Sequence, residues 1–313
     1  MQTSEAQPAP LELGPWIRHA ERRLAEAGVD SPRADAELLA GHVLGVSRGR
    51  VASLAVMGHS LPPDDVTRLD ELLASRAARV PLQHLTGQVI FRQSLLHVGP
   101  GVFLPRPETE DVAGLAVDAL LESSRRAPQR SVVAVDLCTG SGAIAAALAD
   151  EVPAAVVHAV ELDAEAARWA GANLERRGVA LHLEDARTAL PGLTGQVDVV
   201  VSNPPYVPDG RIPPQAEAAQ DPALALYGGG ADGMQMPTAI ITTAARLLRP
   251  GGFFVMEHDE TQGDTVALAL EHTGMFTRIT GHADLAGRPR STSARRIASP
   301  GPEQHPVDGR MSA

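Results

Sequence analysis

The sequence predicts an α/β fold: a mostly parallel sheet with helices on both faces, behind a small all-helical region. Three observations predict it. From Ser131 onward, short apolar runs alternate with helical segments. The first of those runs, Val132–Asp136, ends in a loop bearing Gly140 and Gly142. Residues 11–78, by contrast, space their apolar side chains at three- and four-residue steps and show no strand signal.

In the helical region, Trp16, Ile17, Ala20, Leu24 and Ala27 share one helical face, and Gly28 stops the run. Ser31-Pro32 opens a second helix as an N-cap followed by proline in the first turn, with Ala36, Leu38, Leu39 and Val43 behind it. Ser60 and Pro62 open a third, carrying Val66, Leu69, Leu72 and Leu73. Val89-Ile90-Phe91 and Leu95-Leu96-His97-Val98 flank Arg92-Gln93-Ser94 and predict a β-hairpin. Beyond it the expected elements run in order. They are a strand at Val132–Asp136, a helix at Gly140–Ala149, a strand at Ala155–Val160 and a helix at Ala164–Arg176. Strands at Leu181–Leu183 and Val197–Val201 follow, then a helix at Thr238–Leu248, a strand at Gly252–Glu257 and a helix at Thr265–His272. Residues 1–10 and 299–313, rich in Pro, Gly, Ser and Gln, are expected to be frayed, disordered tails.

The 313 residues are 44% hydrophobic, enough for a substantial core, and only 3% aromatic, so Ala, Val and Leu must build it. The net charge of −11 argues against a protein that lives on nucleic acid, which needs a positive field, although it leaves room for a local basic patch. All 27 basic residues are Arg, a pattern that biased codon usage explains. Cys138, the one cysteine, has no partner for an internal disulfide and fits a reducing cytoplasm. No apolar signal core opens the chain, and no window is long and apolar enough to span a bilayer. The eleven His show no metal-ligand spacing, so no metal is expected.

Leu137-Cys138-Thr139-Gly140-Ser141-Gly142 follows the strand that ends in Asp136. Glycines there let a ligand approach the backbone, though such loops also serve as mere turns. The next strand ends in Glu161, and a carboxylate at that tip suits a ribose diol. Ala145 stands where a third glycine would complete the dinucleotide spacing, which weakens that reading and leaves room for an amino-acid moiety near Asp136.

The fourth strand runs directly into Asn203-Pro204-Pro205-Tyr206. Two consecutive prolines fix two φ angles and remove two N–H donors, so the turn's carbonyls have few local partners. The Asn203 side-chain oxygen and a proline carbonyl can accept one hydrogen bond each from a planar NH2 group, with Tyr206 over its plane. Accepting both N–H bonds favours a pyramidal nitrogen whose lone pair is aimed at a sulfonium methyl. Positioning and electrostatics then carry the rate, and the proton leaves after transfer. Asn is neutral and is not assigned as a base.

With these motifs the chain resembles the release-factor glutamine methyltransferases over about residues 11–298. The further stretches are Leu104-Pro105-Arg106-Pro107-Glu108-Thr109-Glu110, Pro81-Leu82-Gln83-His84-Leu85-Thr86-Gly87, Asp221-Pro222-Ala223-Leu224-Ala225-Leu226 and Gly228-Gly229-Gly230-Ala231-Asp232-Gly233. The Asn-Pro-Pro-Tyr motif alone is shared with DNA and RNA amino-methyltransferases; its pairing with the Pro-Arg-Pro-Glu-Thr-Glu stretch is more specific. The resemblance implies a seven-stranded, Rossmann-like methyltransferase domain, over 104–298, with an N-terminal helical bundle, over 11–80; the β-hairpin over 81–103 links them, and the bundle, which carries no chemical motif, is read as a substrate-docking domain, with stabilisation of the core alone as the alternative. It implies N5-methylation of the glutamine in the Gly-Gly-Gln motif of class I peptide release factors, with S-adenosylmethionine as donor and S-adenosylhomocysteine as product. The cofactor pocket it implies comprises Phe103, Arg106, Asp136, Cys138, Thr139, Gly140, Ser141, Gly142, Glu161, Leu162, Asp185, Ala186 and Asn203. Asn203, Pro204, Pro205 and Tyr206 are the implied catalytic and substrate-binding residues. A cytoplasmic monomer without stable nucleic acid is expected.

Three departures stand out. The family usually has Gly at Cys138. It often has a larger side chain at Ala186, whose loss removes a flat contact for adenine. It commonly has Glu at Asp221. His258-Asp259-Glu260 reads as a solvated cluster, Arg288, Arg290, Arg295 and Arg296 as a surface run, and Trp169 as core. Two other functions compete: a nucleic-acid amino-methyltransferase acting on adenine N6 or guanine N2, against which the acidic charge and the lack of a recognisable base-flipping domain weigh, and a non-catalytic cofactor-binding regulator, against which intact Asn203 and Tyr206 weigh.

Overall fold

The computed structural model describes residues 11–211, 217 and 220–297; the expected tails lie outside them. The chain forms two compact units. Of the described residues, the first comprises 11–90, 95–104, 211, 217 and 220–223, and the second 91–94, 105–210 and 224–297.

The first unit is built on α1 (Leu13–Glu26), α2 (Pro32–Leu44), α3 (Arg48–Val56), α4 (Pro63–Ala77) and α5 (Leu82–Thr86). Leu13, Trp16, Ile17, Leu24, Leu39, Leu69 and Leu73 share one core and are essentially solvent-free. Trp16 lies inside it with its indole N–H donating to Asp70 (3.0 Å), so the buried polar edge keeps a partner. Arg76 is buried against Asp35 at 2.7 Å. The sequence reading misses α3, which fully buries only Val51, with Leu54 and Ala55 partly buried beside it, and so carries little periodic signal. β1 (Gln88–Phe91) and β2 (Ser94–His97) make the expected hairpin as a two-stranded sheet.

The second unit has the predicted α/β order. α6 (Pro107–Arg126) precedes β3 (Val133–Leu137), α7 (Ala143–Glu151), β4 (Val156–Glu161), α8 (Ala164–Leu174), β5 (Ala180–Leu183) and β6 (Val197–Ser202). A single turn, α9 (Ala223–Leu226), leads to α10 (Gln235–Leu247), β7 (Leu248–Glu257), α11 (Gly263–His272), β8 (Phe276–Ala283) and β9 (Pro289–Arg296). The sheet has the seven strands expected, in the order β5-β4-β3-β6-β7-β9-β8. β9 runs antiparallel to both neighbours, while β3, β4, β5, β6 and β7 are mutually parallel. On one face Ile240, Ile241, Ala244 and Leu247 of α10, with Val266 and Leu270 of α11, pack on Val135, Leu137, Val200, Phe254 and Met256. α6 packs against β6, β7 and α7, and α7 and α8 contact each other.

Four elements of this unit escape the reading by residue pattern: α6, the single turn α9, β8 and β9. β9 is internal to the sheet, yet it buries Ser291, Thr292 and Ser293 rather than an apolar run, because its neighbours supply the hydrogen bonds. Its arginines are bonded within the unit. Arg295 pairs with Glu122 (2.5 Å), Arg290 with Asp284 (3.4 Å), and Arg296 donates to the Ala245 carbonyl (3.0 Å). His258 corrects the solvated reading of its cluster. It is 1% exposed, between the Asp259 carbonyl and the Thr292 hydroxyl, both at 2.9 Å, and burial holds its pKa below the usual imidazole value. Trp169 is only half-buried on α8.

Phe254 is solvent-free in the strand that ends at Glu257 and meets Phe276 with ring centroids 5.8 Å apart. Phe254→Ala should therefore lower unfolding free energy by about 3–5 kcal/mol, measured by denaturant titration. A loss under about 1 kcal/mol would mean that the α10–α11 layer repacks around the gap.

Candidate active site

β3 lies between β4 and β6, so its carboxyl end is the place where strand order reverses and ligands settle on such sheets. Register pairs Leu137 with Val160 on one side and with Ser202 on the other. The Ser202 hydroxyl donates to the Leu137 carbonyl at 2.7 Å, and the Thr139 amide donates to the Val160 carbonyl at 2.9 Å. The glycine loop, Glu161 and Asn203 therefore leave three adjacent strand ends, as the sequence spacing predicts.

Asp136 is wholly buried beneath the loop. Its Oδ2 accepts from the Thr139 hydroxyl (2.5 Å) and from the Ala145 amide (3.1 Å), while Oδ1 has no hydrogen-bond partner among the described residues. Burial, with Glu161 nearby, pushes its pKa up to about 7 against those two hydrogen bonds. Cys138 takes φ 61°, the left-handed conformation that costs a side chain about 1–2 kcal/mol and suits glycine. Burial pushes its thiol well above the usual range, with the Glu161 and Asp136 charges adding, so it is no nucleophile at neutral pH.

Glu161 braces the loop. One carboxylate oxygen accepts from the Gly140 amide (2.8 Å), the other from the Leu162 and Asp163 amides (2.8 and 2.9 Å). Burial holds its pKa up against these three bonds. A carboxylate has about four acceptor positions, so one remains. Ser141 is buried, its carbonyl taking a hydrogen bond from Asn173 (2.9 Å), and Gly142 opens α7. Of the remaining expected pocket residues, Leu162 is half exposed, Ala186 is packed into the apolar core, and the Asp185 carboxylate is held by Arg187 at 2.6 Å. Arg106 caps α6, and Phe103 belongs to the first unit.

The Asn-Pro-Pro-Tyr turn is clamped by residues the sequence reading did not assign to the site. The Asn203 NH2 donates to the Thr109 hydroxyl (3.2 Å), which in turn donates to Glu257 Oε2 (2.7 Å). The Tyr206 hydroxyl donates to Glu257 Oε1 (3.2 Å). Gln262 ties the Tyr206 carbonyl (2.9 Å) to the Asp232 carbonyl (2.7 Å). A Cβ on Gly233 would overlap the Tyr206 carbonyl, and one on Gly228 would meet the Pro205 oxygen at 2.7 Å, so the glycine-rich segment is a close-fitting backing for the turn. Glu257 is 2% exposed; burial, with Glu108 adding, lifts its pKa to about 7 against the Thr109 and Tyr206 hydroxyls and Arg290. Burial and Glu257 likewise push the Tyr206 phenol well above its ordinary range. One signal in the sequence could have found Glu257: like Glu161, it is a carboxylate ending an apolar strand.

Asp136 and Glu257 carry folded pKa values of about 7 against ordinary values of 3.8 and 4.5. The folded state therefore binds their protons more tightly than the unfolded chain does. The stability they contribute is present in full below the unfolded values and lost as pH rises through about 7. The ligand-free chain should accordingly melt lower at about pH 8 than at about pH 5, and Asp136→Asn should narrow that gap. Thermal melts of both proteins at the two pH values check this; an unchanged gap in the variant would leave Asp136 without the burden assigned to it.

Among the described residues, no cluster of His, Cys, Asp and Glu is placed to hold a metal, and no helix is long and apolar enough to cross a membrane. Residues 15–87 match the PrmC N-terminal domain, and residues 99–218 match the methyltransferase small domain. Release factor glutamine methyltransferases from three bacteria align along nearly all of the chain. The Streptomyces coelicolor protein is 48% identical, with 90% of this chain and 96% of its own length covered. The Mycolicibacterium smegmatis protein is 46% identical, covering 90% and 97%. The Mycobacterium leprae protein is 43% identical, covering 92% and 98%. With a seven-stranded α/β unit whose glycine loop and Asn-Pro-Pro-Tyr turn share one sheet edge, and relatives matched over nine-tenths of its length at this identity, the chain belongs to the release factor glutamine methyltransferase family.

Proposed function

We propose that this chain transfers a methyl group from S-adenosylmethionine to the side-chain amide nitrogen, N5, of the glutamine in the Gly-Gly-Gln motif of class I peptide release factors. One observation carries the reading most directly: in a chain of this family, the Leu137–Ser202 register sets the Asn203-Pro204-Pro205-Tyr206 turn beside the glycine loop.

The residues present fit the cofactor. Asp136 offers a buried acceptor, Oδ1, suited to the ammonium of an amino-acid moiety. Glu161 keeps one acceptor position for a ribose hydroxyl, and Gly140 has no neighbouring atom within 4 Å of where a Cβ would stand. Thr139, Ser141 and Gly142 complete the loop, with Cys138, Leu162, Asp185, Ala186 and Arg106 as the further residues assigned to the pocket. Bound there, S-adenosylmethionine supplies an electrophilic sulfonium methyl.

The turn's task is to make a poor nucleophile reactive. An amide lone pair is delocalised into its carbonyl, and the nitrogen attacks only if that conjugation is weakened and the geometry fixed. With its NH2 bonded to Thr109, Asn203 has Oδ1 left to accept from the substrate NH2, and a carbonyl of the Pro204–Pro205 pair takes the second N–H. Tyr206, held by Glu257 and Gln262, bounds the place where the amide lies. Positioning and fixed dipoles supply the rate. The first unit serves as a docking surface, because one glutamine side chain offers far less than the roughly 800 Å² per partner of a standard protein interface. We read the enzyme as a cytoplasmic monomer without a stable nucleic-acid partner; the net charge of −11 supports the last point.

Incubation of the chain with release factor and methyl donor should add the mass of one methyl group to the Gly-Gly-Gln peptide, read by mass spectrometry, and should leave DNA and RNA unmodified. Methyl on nucleic acid and none on the factor would overturn the reading. Asn203→Ala should lower kcat by about 10²–10³ with the fold intact. The intact enzyme should also show a much lower KM for whole release factor than for a short Gly-Gly-Gln peptide, and equal values would remove the docking role.

A further inference from the structure

We propose that Thr109 and Glu257 are positioning residues that fix which way round the Asn203 amide stands. The inference rests on the reading of Asn203 as acceptor for the substrate amide, and it follows from counting protons along one chain of hydrogen bonds. An asparagine side chain presents an oxygen on one edge and an NH2 on the other, with nearly the same shape either way round. Only one orientation accepts from a substrate NH2; the other would set two donors face to face.

The orientation is decided two residues away. In its ionised form, which predominates above about pH 7, Glu257 has acceptors only, and it faces two hydroxyls: Thr109 at 2.7 Å on Oε2 and Tyr206 at 3.2 Å on Oε1. Each hydroxyl has one proton and spends it on the carboxylate. The Thr109 oxygen therefore turns only lone pairs toward Asn203, 3.2 Å away, and only the NH2 edge of Asn203 can satisfy them. The Asn203 oxygen is left for the substrate. Thr109 is 3% exposed and Glu257 2% exposed, so water competes poorly for either. The three residues come from the first turn of α6, the end of β6 and the end of β7; the β6–β7 pairing and the packing of α6 on both strands bring them together.

Two changes break the chain without touching substrate. Thr109→Val keeps the shape and removes the hydroxyl, so nothing biases the amide. Glu257→Gln leaves one acceptor for two hydroxyls; when the Thr109 proton turns toward Asn203, the amide is driven the wrong way. This second variant also removes a buried charge whose pKa is already raised, so it should fold at least as well as the parent.

The experiment is steady-state kinetics of the full-length chain on whole release factor, with S-adenosylhomocysteine binding by calorimetry and a thermal melt for each variant. Thr109→Val and Glu257→Gln should each lower kcat about 10- to 100-fold with cofactor affinity unchanged. Thr109→Ser, which restores the hydroxyl, should recover most of the loss. In an Asn203→Ala background, Thr109→Val should cost nothing further, because Thr109 acts only through Asn203. An active wild type with unaltered kcat in both variants overturns the proposal alone. So does an equal loss in the Val and Ser variants, or a loss of cofactor affinity in step with kcat. A wild type that leaves the release factor unmethylated overturns the functional reading, and the proposal with it.

Discussion

The pairing of Leu137 with Ser202 is the constraint on which the rest of the site depends. β3 and β6 are adjacent and parallel although α7, β4, α8 and β5 lie between them in the chain. Because they run the same way, both carboxyl ends open on one edge, and the two loops to which we assign the chemistry emerge together. The Ser202 hydroxyl, bonded to the Leu137 carbonyl, locks the last residue pair before the loops diverge. A slip of one residue would turn Ser202 to the other face of the sheet and withdraw Asn203 from the loop it must face.

From that edge outward, polar groups do the holding. Asp136 and Glu161 on one side and Glu257 on the other are carboxylates set at strand ends and buried or largely covered. Each is satisfied chiefly by backbone amides or hydroxyls rather than by a guanidinium. Burial raises all three pKa values, an unfavourable arrangement for folding. What it provides is direction: each carboxylate fixes the hydrogen-bonding sense of its neighbours, and in a site working by positioning that sense matters more than the charge. The strain at Cys138 belongs to the same pattern, a local cost accepted where the loop must turn toward a ligand.

The glycine-rich segment after the turn shows how sequence features distant in the chain acquire meaning in the fold. Gly228 and Gly233 leave no room for a side chain against Pro205 and Tyr206, and Gln262 stitches the same segment to the Tyr206 carbonyl. The turn is thus backed on one flank by backbone and held on the other through Thr109 and Glu257, while its prolines limit its own freedom.

By itself the sequence determined the α/β order, the helical first region, the hairpin, the glycine loop with Asp136 and Glu161, and the Asn203 turn. Each of these is written in local pattern: apolar period, turn residues, or a motif confined to a few consecutive positions. Tertiary structure decided what local pattern cannot hold. β9 is an internal strand because β7 and β8 flank it, although its Pro-Arg-Ser-Thr-Ser-Ala-Arg-Arg sequence has the look of a surface run. His258 is buried because Thr292 arrives from that same strand. Glu161 proves to brace the glycine loop, since the Gly140 amide reaches it across β3 and β4. Thr109 lies 94 residues from Asn203 and 148 from Glu257, and only the pairing of β6 with β7 and the packing of α6 against both strands close those distances to hydrogen bonds. Hydrogen-bond partnership between such residues is a property of the packed sheet, and no single segment of the chain encodes it.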